Sequence, residues 1–195
     1  MRRLCVIAII LCIAACSTSG PVFTQVTAWT PAQTSVDVSI VRALLVADTS
    51  TDPIKPLPGA DANIITIGEL TEPDLIFVQV TASPGTSGVN PRECMLVLAA
   101  SKLADRYCDA DGEFLPHAST AGFLALPTDS TVTFVRLSVC DTRLWEKPVN
   151  GFVVFALTAQ QATAGWAAEI FRGAHPKAIA GSAPALTAHR CIAAA

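Results

Sequence analysis

The residues best able to do chemistry fall in two short runs. Cys108-Asp109-Ala110-Asp111-Gly112-Glu113 is a carboxylate cluster with a glycine, the kind of oxygen-donor set a hard cation takes. The calcium-loop pattern fails on it. With Gly112 at the turn position, Tyr107 falls at the first ligand position and Ala118 falls where a bidentate Glu belongs. The run therefore reads as a solvated Asp-Gly turn, and no metal is expected. His117, His175 and His189 are scattered, two of them beside prolines, with no ligand spacing. Gly85-Thr86-Ser87-Gly88-Val89 lacks the closing glycine of a nucleophile elbow. No glycine-rich phosphate loop occurs, and no cofactor is implied. A hydrolase would need at least two of Asp111, His117, Asp141, His175 and His189 to meet in one cleft.

The second run is Asp141-Thr142-Arg143-Leu144-Trp145-Glu146-Lys147, the densest charged and aromatic stretch of the chain. Arg and Trp are enriched where proteins bind one another. Asp141, Arg143, Trp145 and Glu146 are therefore the candidate partner surface. The plainer reading is a hairpin loop whose Trp145 covers the edge of the core.

The N-terminal segment carries an address. Arg2 and Arg3 precede twelve uncharged, mostly apolar residues, 4–15, and a polar break at residues 17–20. That order is a secretory signal. Twelve residues are too few to span a bilayer, which takes about 20. Ile13-Ala14-Ala15-Cys16 resembles the lipobox of bacterial lipoproteins. The resemblance covers residues 1–16 alone. It implies a diacylglyceryl group on the Cys16 thiol, cleavage before Cys16 and acylation of the new N-terminus, so that the chain is anchored without spanning. Two or more acyl chains hold a protein stably on a bilayer, whereas one does so only marginally. Ser17 stands where an Asp would retain a Gram-negative lipoprotein at the inner membrane, so the resemblance implies the periplasmic face of an outer membrane if the cell has one.

With that address, the cysteines divide. Cys5 and Cys12 leave with the signal and Cys16 takes the lipid. Cys94, Cys108, Cys140 and Cys191 remain, an even number that in an exported chain reads as two disulfides. The preferred pairing of the three possible is Cys94–Cys108 with Cys140–Cys191. Loss of Arg2 and Arg3 moves the formal charge from −3 to −5, and no basic run exists. An electrostatic footprint for nucleic acid is therefore excluded.

The elements that must position these residues read mostly as strands. Residues 35–47 begin with two-residue alternation and suggest a long first strand. Residues 48–62 hold three prolines and Gly59 and form a loop. Residues 63–70, 75–82 and 94–100 are apolar β-rich runs. Residues 101–115 read as a polar excursion that ends at Pro116, with one or two helical turns at 99–107 the alternative. Residues 120–126 and 131–140 look like a hairpin pair. Residues 142–150 form a polar turn region, with the turn dipeptide Asn150-Gly151 leading into a strand at 151–158 that is apolar on both faces. Residues 159–172 are either helix or a loop leading to a strand from 166, and from 173 onward the tail looks irregular. The chain reads as a signal peptide at 1–15, a lipidated flexible tether at 16–34 and one domain at 35–195. The domain is expected to be mainly β, an antiparallel β-sandwich of immunoglobulin-like layout with at most one or two short helices. The expected function is non-enzymatic: an envelope lipoprotein that binds an envelope protein as an assembly or accessory subunit. A small-ligand-binding lipoprotein and an envelope hydrolase are the alternatives.

Overall fold

A computed structural model describes residues 24–25, 28–33, 35–47, 63–81, 93–109, 112–140, 142–173 and 175–182. The described chain is mainly β, an antiparallel sandwich with two helices. Its strands are β1 (Thr24–Gln25), β2 (Trp29–Thr30), β3 (Asn63–Leu70), β4 (Leu75–Thr81), β5 (Glu93–Ala99), β6 (Lys102–Cys108), β7 (His117–Ser119), β8 (Phe123–Pro127), β9 (Phe134–Val139), β10 (Thr142–Glu146), β11 (Phe152–Ala156), β12 (Gly165–Arg172) and β13 (His175–Ser182). The helices are α1 (Val38–Ala47) and α2 (Ala159–Ala162).

The strands form three sheets. An outer five-stranded sheet runs β1-β10-β9-β12-β13, a middle sheet runs β11-β8-β7, and a second five-stranded sheet runs β2-β3-β4-β5-β6. All pairs are antiparallel except the two-residue contact of β1 with β10. The middle sheet has no wet face. Leu124, Leu126, Val153 and Phe155 pack against Val135, Leu137, Leu144 and Ile170 of the outer sheet. Phe123, Ala125, Phe152 and Val154 pack the opposite way, against Leu70, Phe77, Met95 and Val97. This explains why residues 152–156 are apolar without alternation: alternate side chains enter two different cores.

A third core lies on the far side of the second sheet, where α1 covers Val78, Val80, Leu96 and Leu98. Residues 35–47 are thus a helix after Asp37, not the expected strand. Val41, Leu44 and Leu45 recur at helical spacing and face the sheet. Asp37 caps the helix: its carboxylate accepts the Ser39 N–H at 2.8 Å, and its carbonyl accepts from Ile40.

Other expectations are corrected in the same way. The segment from 102 to 108 is strand β6, joined to β5 by a turn in which Ala100 and Ser101 both have positive φ. Residues 120–126 and 131–140 do not form a hairpin. Strand β8 lies in the middle sheet and β9 in the outer one, and residues 128–133 step between layers. Residues 142–146 are a strand, not a turn region. Residues 159–172 divide into a helical turn, with Thr158 and Gln161 forming a capping box, and strand β12. Residues 175–182, expected to be irregular, pair along the whole of β12. The turn at Asn150-Gly151 is as expected. Both residues have positive φ, and Val149 and Phe152 exchange backbone hydrogen bonds across them.

The expected tether is also shorter than 16–34. Within it, β1 joins the outer sheet and β2 joins the second sheet. β1 and β2 thus act as a strap on the outer and second sheets. Trp29, the first residue of β2, is 4% exposed. Its ring meets Phe77 edge-on at 5.2 Å, and Phe77 meets Phe123 at 5.0 Å. Such aromatic pairs contribute about 0.5–1.5 kcal/mol each beyond burial.

Candidate interaction face

Strands β10, β9 and β12 turn alternate residues away from the core, and their register sets those residues in rows. Arg143, Ser138 and Ala167 stand side by side. The next row is Trp145, Arg136 and Glu169, and the next holds Phe134 and Phe171. The rings form a compact group: Phe134 lies 4.1 Å from Phe171 and 4.8 Å from Trp145. The Arg136 guanidinium stands 5.8 Å from the centroid of Trp145 and 5.5 Å from that of Phe171, and pairs with Glu169. Arginine over aromatic faces is a favourable cation–π arrangement. A shallow cavity of about 290 Å³ opens beside these rows, lined by Arg136, Ser138, Arg143 and Glu169 among others.

Of the four residues singled out in the second charged run, Arg143 is exposed and Trp145 half-buried on this face. Asp141 lies outside the described residues. Glu146 is a correction to the surface reading: strand alternation turns it inward, where it is 5% exposed. Its carboxylate accepts the Ala28 N–H at 3.2 Å, which fastens the strap to β10. Burial pushes this carboxyl up to about 7, against the pull of the Trp29, Ala28 and Lys147 backbone N–H groups. Phe134, Arg136, Glu169 and Phe171 were not singled out from the sequence. Alternation puts Phe134 and Arg136 on one face of a strand, but the opposite face, Val135 and Leu137, is also apolar, so the period does not say which face is wet.

Of the five candidate acid–base residues, His117 alone has a described side chain. His117 Nε2 lies 3.0 Å from Asp105 Oδ2, and Ser119 hydrogen-bonds the same carboxylate. A nucleophilic triad needs the histidine between serine and carboxylate, whereas here the carboxylate is in the middle. Burial raises the Asp105 carboxyl, but the hydrogen bonds from His117 and Ser119 and the nearby imidazole outweigh it and hold the group below the usual carboxylate range. The imidazole stacks on Tyr107 at 4.2 Å. This cluster ties β6 of the second sheet to β7 of the middle one. Asp111 and His189 lie outside the described residues, as does the side chain of His175. Glu93 and Asp109 at the acidic run are engaged with each other's backbone, Asp109 Oδ1 accepting the Glu93 N–H at 3.0 Å. Among the described residues no three His, Cys, Asp or Glu side chains are grouped to hold a metal.

Cys94 and Cys108 are directly opposed in β5 and β6 and form a disulfide. Cys140 is also disulfide-bonded, and its expected partner Cys191 lies outside the described residues. A second cleft, about 440 Å³, lies between the 129–133 and 147–151 turns and is lined in part by Asp129, Lys147 and Asn150. No helix of the described residues is long and apolar enough to cross a membrane. Comparison with family models, with curated proteins and with solved structures gives no match.

Proposed function

We propose that this chain is a lipid-anchored envelope protein that works without catalysis, holding a rigid β domain at a membrane surface as an accessory subunit of a protein assembly. The observation that carries the reading is the shortness of the link. Thr24, where the strap begins, follows Cys16, the lipobox cysteine, by eight positions. Those eight steps reach about 29 Å at full extension. The strap then enters two sheets and buries Trp29, so the domain is held close and its position is controlled. Such a layout suits a positional role. The layout of β6 supports a protein partner, since it ends the second sheet and no described strand pairs its outer side. A partner strand added there would gain main-chain hydrogen bonds.

The test has two readouts in cells. Labelling with a radioactive fatty acid should be lost in Cys16→Ser. A photo-crosslinking residue replacing Leu103 on β6 should give a discrete protein adduct. Labelling unaffected by Cys16→Ser, or a lipidated protein with no adduct from any exposed position of β6, would sink the corresponding half of the proposal.

A further inference from the structure

Charge is segregated between the layers of this stack. Strands β9, β10, β12 and β13 of the outer sheet carry Arg136, Arg143, Arg172 and Lys177 against Glu146 and Glu169, a net +2. Glu146 is buried, Arg136 and Glu169 pair with each other, and Arg172 pairs with Asp129. Residues 63–81 and 93–109, the described part of the second sheet with its turns, carry two basic and six acidic side chains, a net −4. This sheet stands one layer beyond the middle sheet, with α1 on its far side. At about 10 Å per sheet spacing, the second sheet lies about 20 Å from the outer one.

The strap enters this arrangement at the basic layer. Strand β1 forms the edge of the outer sheet, so the short segment from Cys16 arrives there first. The same sheet presents Trp145, Phe134 and Phe171 beside Arg136 and Arg143 on its outward face, with Lys147 exposed just beyond β10. Amphipathic rings flanked by cations suit the headgroup region of a bilayer, where rings enter the interface and cations meet phosphates.

We infer that the outward face of the β10-β9-β12 rows lies against the anionic headgroups of the membrane that holds the lipid anchor. The acidic second sheet with its β6 edge then faces away, toward the protein partner. The orientation rests on the lipid-anchor reading, because only the anchor brings this face to a membrane. Headgroup affinity is a property of the face itself and is measured without the anchor.

The experiment uses the purified chain from residue 16 onward with Cys16→Ser, free of the signal residues 1–15, and sedimentation with vesicles of phosphatidylglycerol and phosphatidylcholine, against phosphatidylcholine alone. Binding to the anionic vesicles alone, weakened by added salt, is expected. Arg136→Glu with Arg143→Glu should weaken it about tenfold or more, since each basic side chain near an anionic surface contributes measurably. Lys102→Glu on β6 should leave it unchanged, and thermal melts of all three chains check that they are folded. Equal loss with Lys102→Glu, or no preference for anionic vesicles, would overturn the inference. A cross-linking residue replacing Phe171 that captured protein instead of lipid in cells would also overturn it. Fatty-acid labelling is scored separately, so a missing anchor and a face without headgroup affinity give different results.

Discussion

The indole N–H of Trp29 donates to the carbonyl oxygen of Phe152 at 3.0 Å, across 123 residues of sequence. The donor belongs to the strap and the acceptor to the middle sheet. Together with the pairing of β1 and β2, this bond makes the chain segment nearest the proposed anchor part of the core.

Trp29→Ala should therefore destabilise the domain by about 3–5 kcal/mol, as large-to-small core substitutions do. Trp29→Phe should keep much of the packing and lose the indole donor, while the Phe152 carbonyl keeps its bond from the Val149 N–H, costing about 0.5–1.5 kcal/mol. Urea unfolding followed by circular dichroism measures both. A loss under 1 kcal/mol for Trp29→Ala would show that the strap is not held as described.

The same ring sits over Gly68. A Cβ added there would lie 2.5 Å from Trp29 Cη2 and 2.8 Å from the Thr30 carbonyl oxygen. Gly68→Ala should cost about 1–3 kcal/mol through overpacking. Combined with Trp29→Ala it should cost much less than the sum, because most of the clash is gone. Strict additivity of the two substitutions in urea unfolding would contradict the contact.

Glu146 gives the fold a pH dependence of definite sign. Its carboxyl is raised in the folded chain from the ordinary glutamate value of 4.5 to about 7. A group raised on folding stabilises below its unfolded value and loses that contribution as pH climbs through the folded one. The wild-type chain should therefore lose stability from this group between about pH 4.5 and 7. Glu146→Gln should be the more stable partner at pH 8, and the gap should narrow toward pH 4. Melting temperatures of both proteins across that range test it, and parallel curves would count against the buried position of the carboxylate.

The Cys94–Cys108 bridge closes a separation of 14 residues. Replacing both cysteines with serine should cost about 3 kcal/mol by the loop-entropy relation. Mass spectrometry of an unreduced tryptic digest should find the two peptides linked, and finding them separate would remove the bridge.

What the sequence revealed depended on whether a local signal agreed with the tertiary context. The Asn150-Gly151 turn was legible because few dipeptides adopt positive φ twice at low cost. The β5–β6 turn was not, because Ala100 and Ser101 adopt the same conformation without that signature. Residues 35–47 looked like a strand because Val36, Val38 and Ile40 alternate. Yet the apolar positions that make contact are Val41, Leu44 and Leu45, and Asp37 caps the helix. Arg143 and Trp145 were legible as a surface pair. Glu169 and Phe171, which complete the face, come from a strand 24 or more residues further on and are brought alongside only by the β9–β12 register. Glu146 was misplaced because one strand step separates the outward from the buried row.

The middle sheet, buried on both sides, also bears on how such a chain can diverge. Residues 123–126 of β8 and each residue of β11 have a neighbour in one core or the other, so exchange there is limited to side chains of matching volume. The outward rows of β9, β10 and β12 are free of that constraint and can drift with whatever surface they meet. Distant kin of this protein would therefore be recognised by two short, unalternating apolar words in fixed order, Phe-Leu-Ala-Leu and Phe-Val-Val-Phe, sooner than by any residue on its surface.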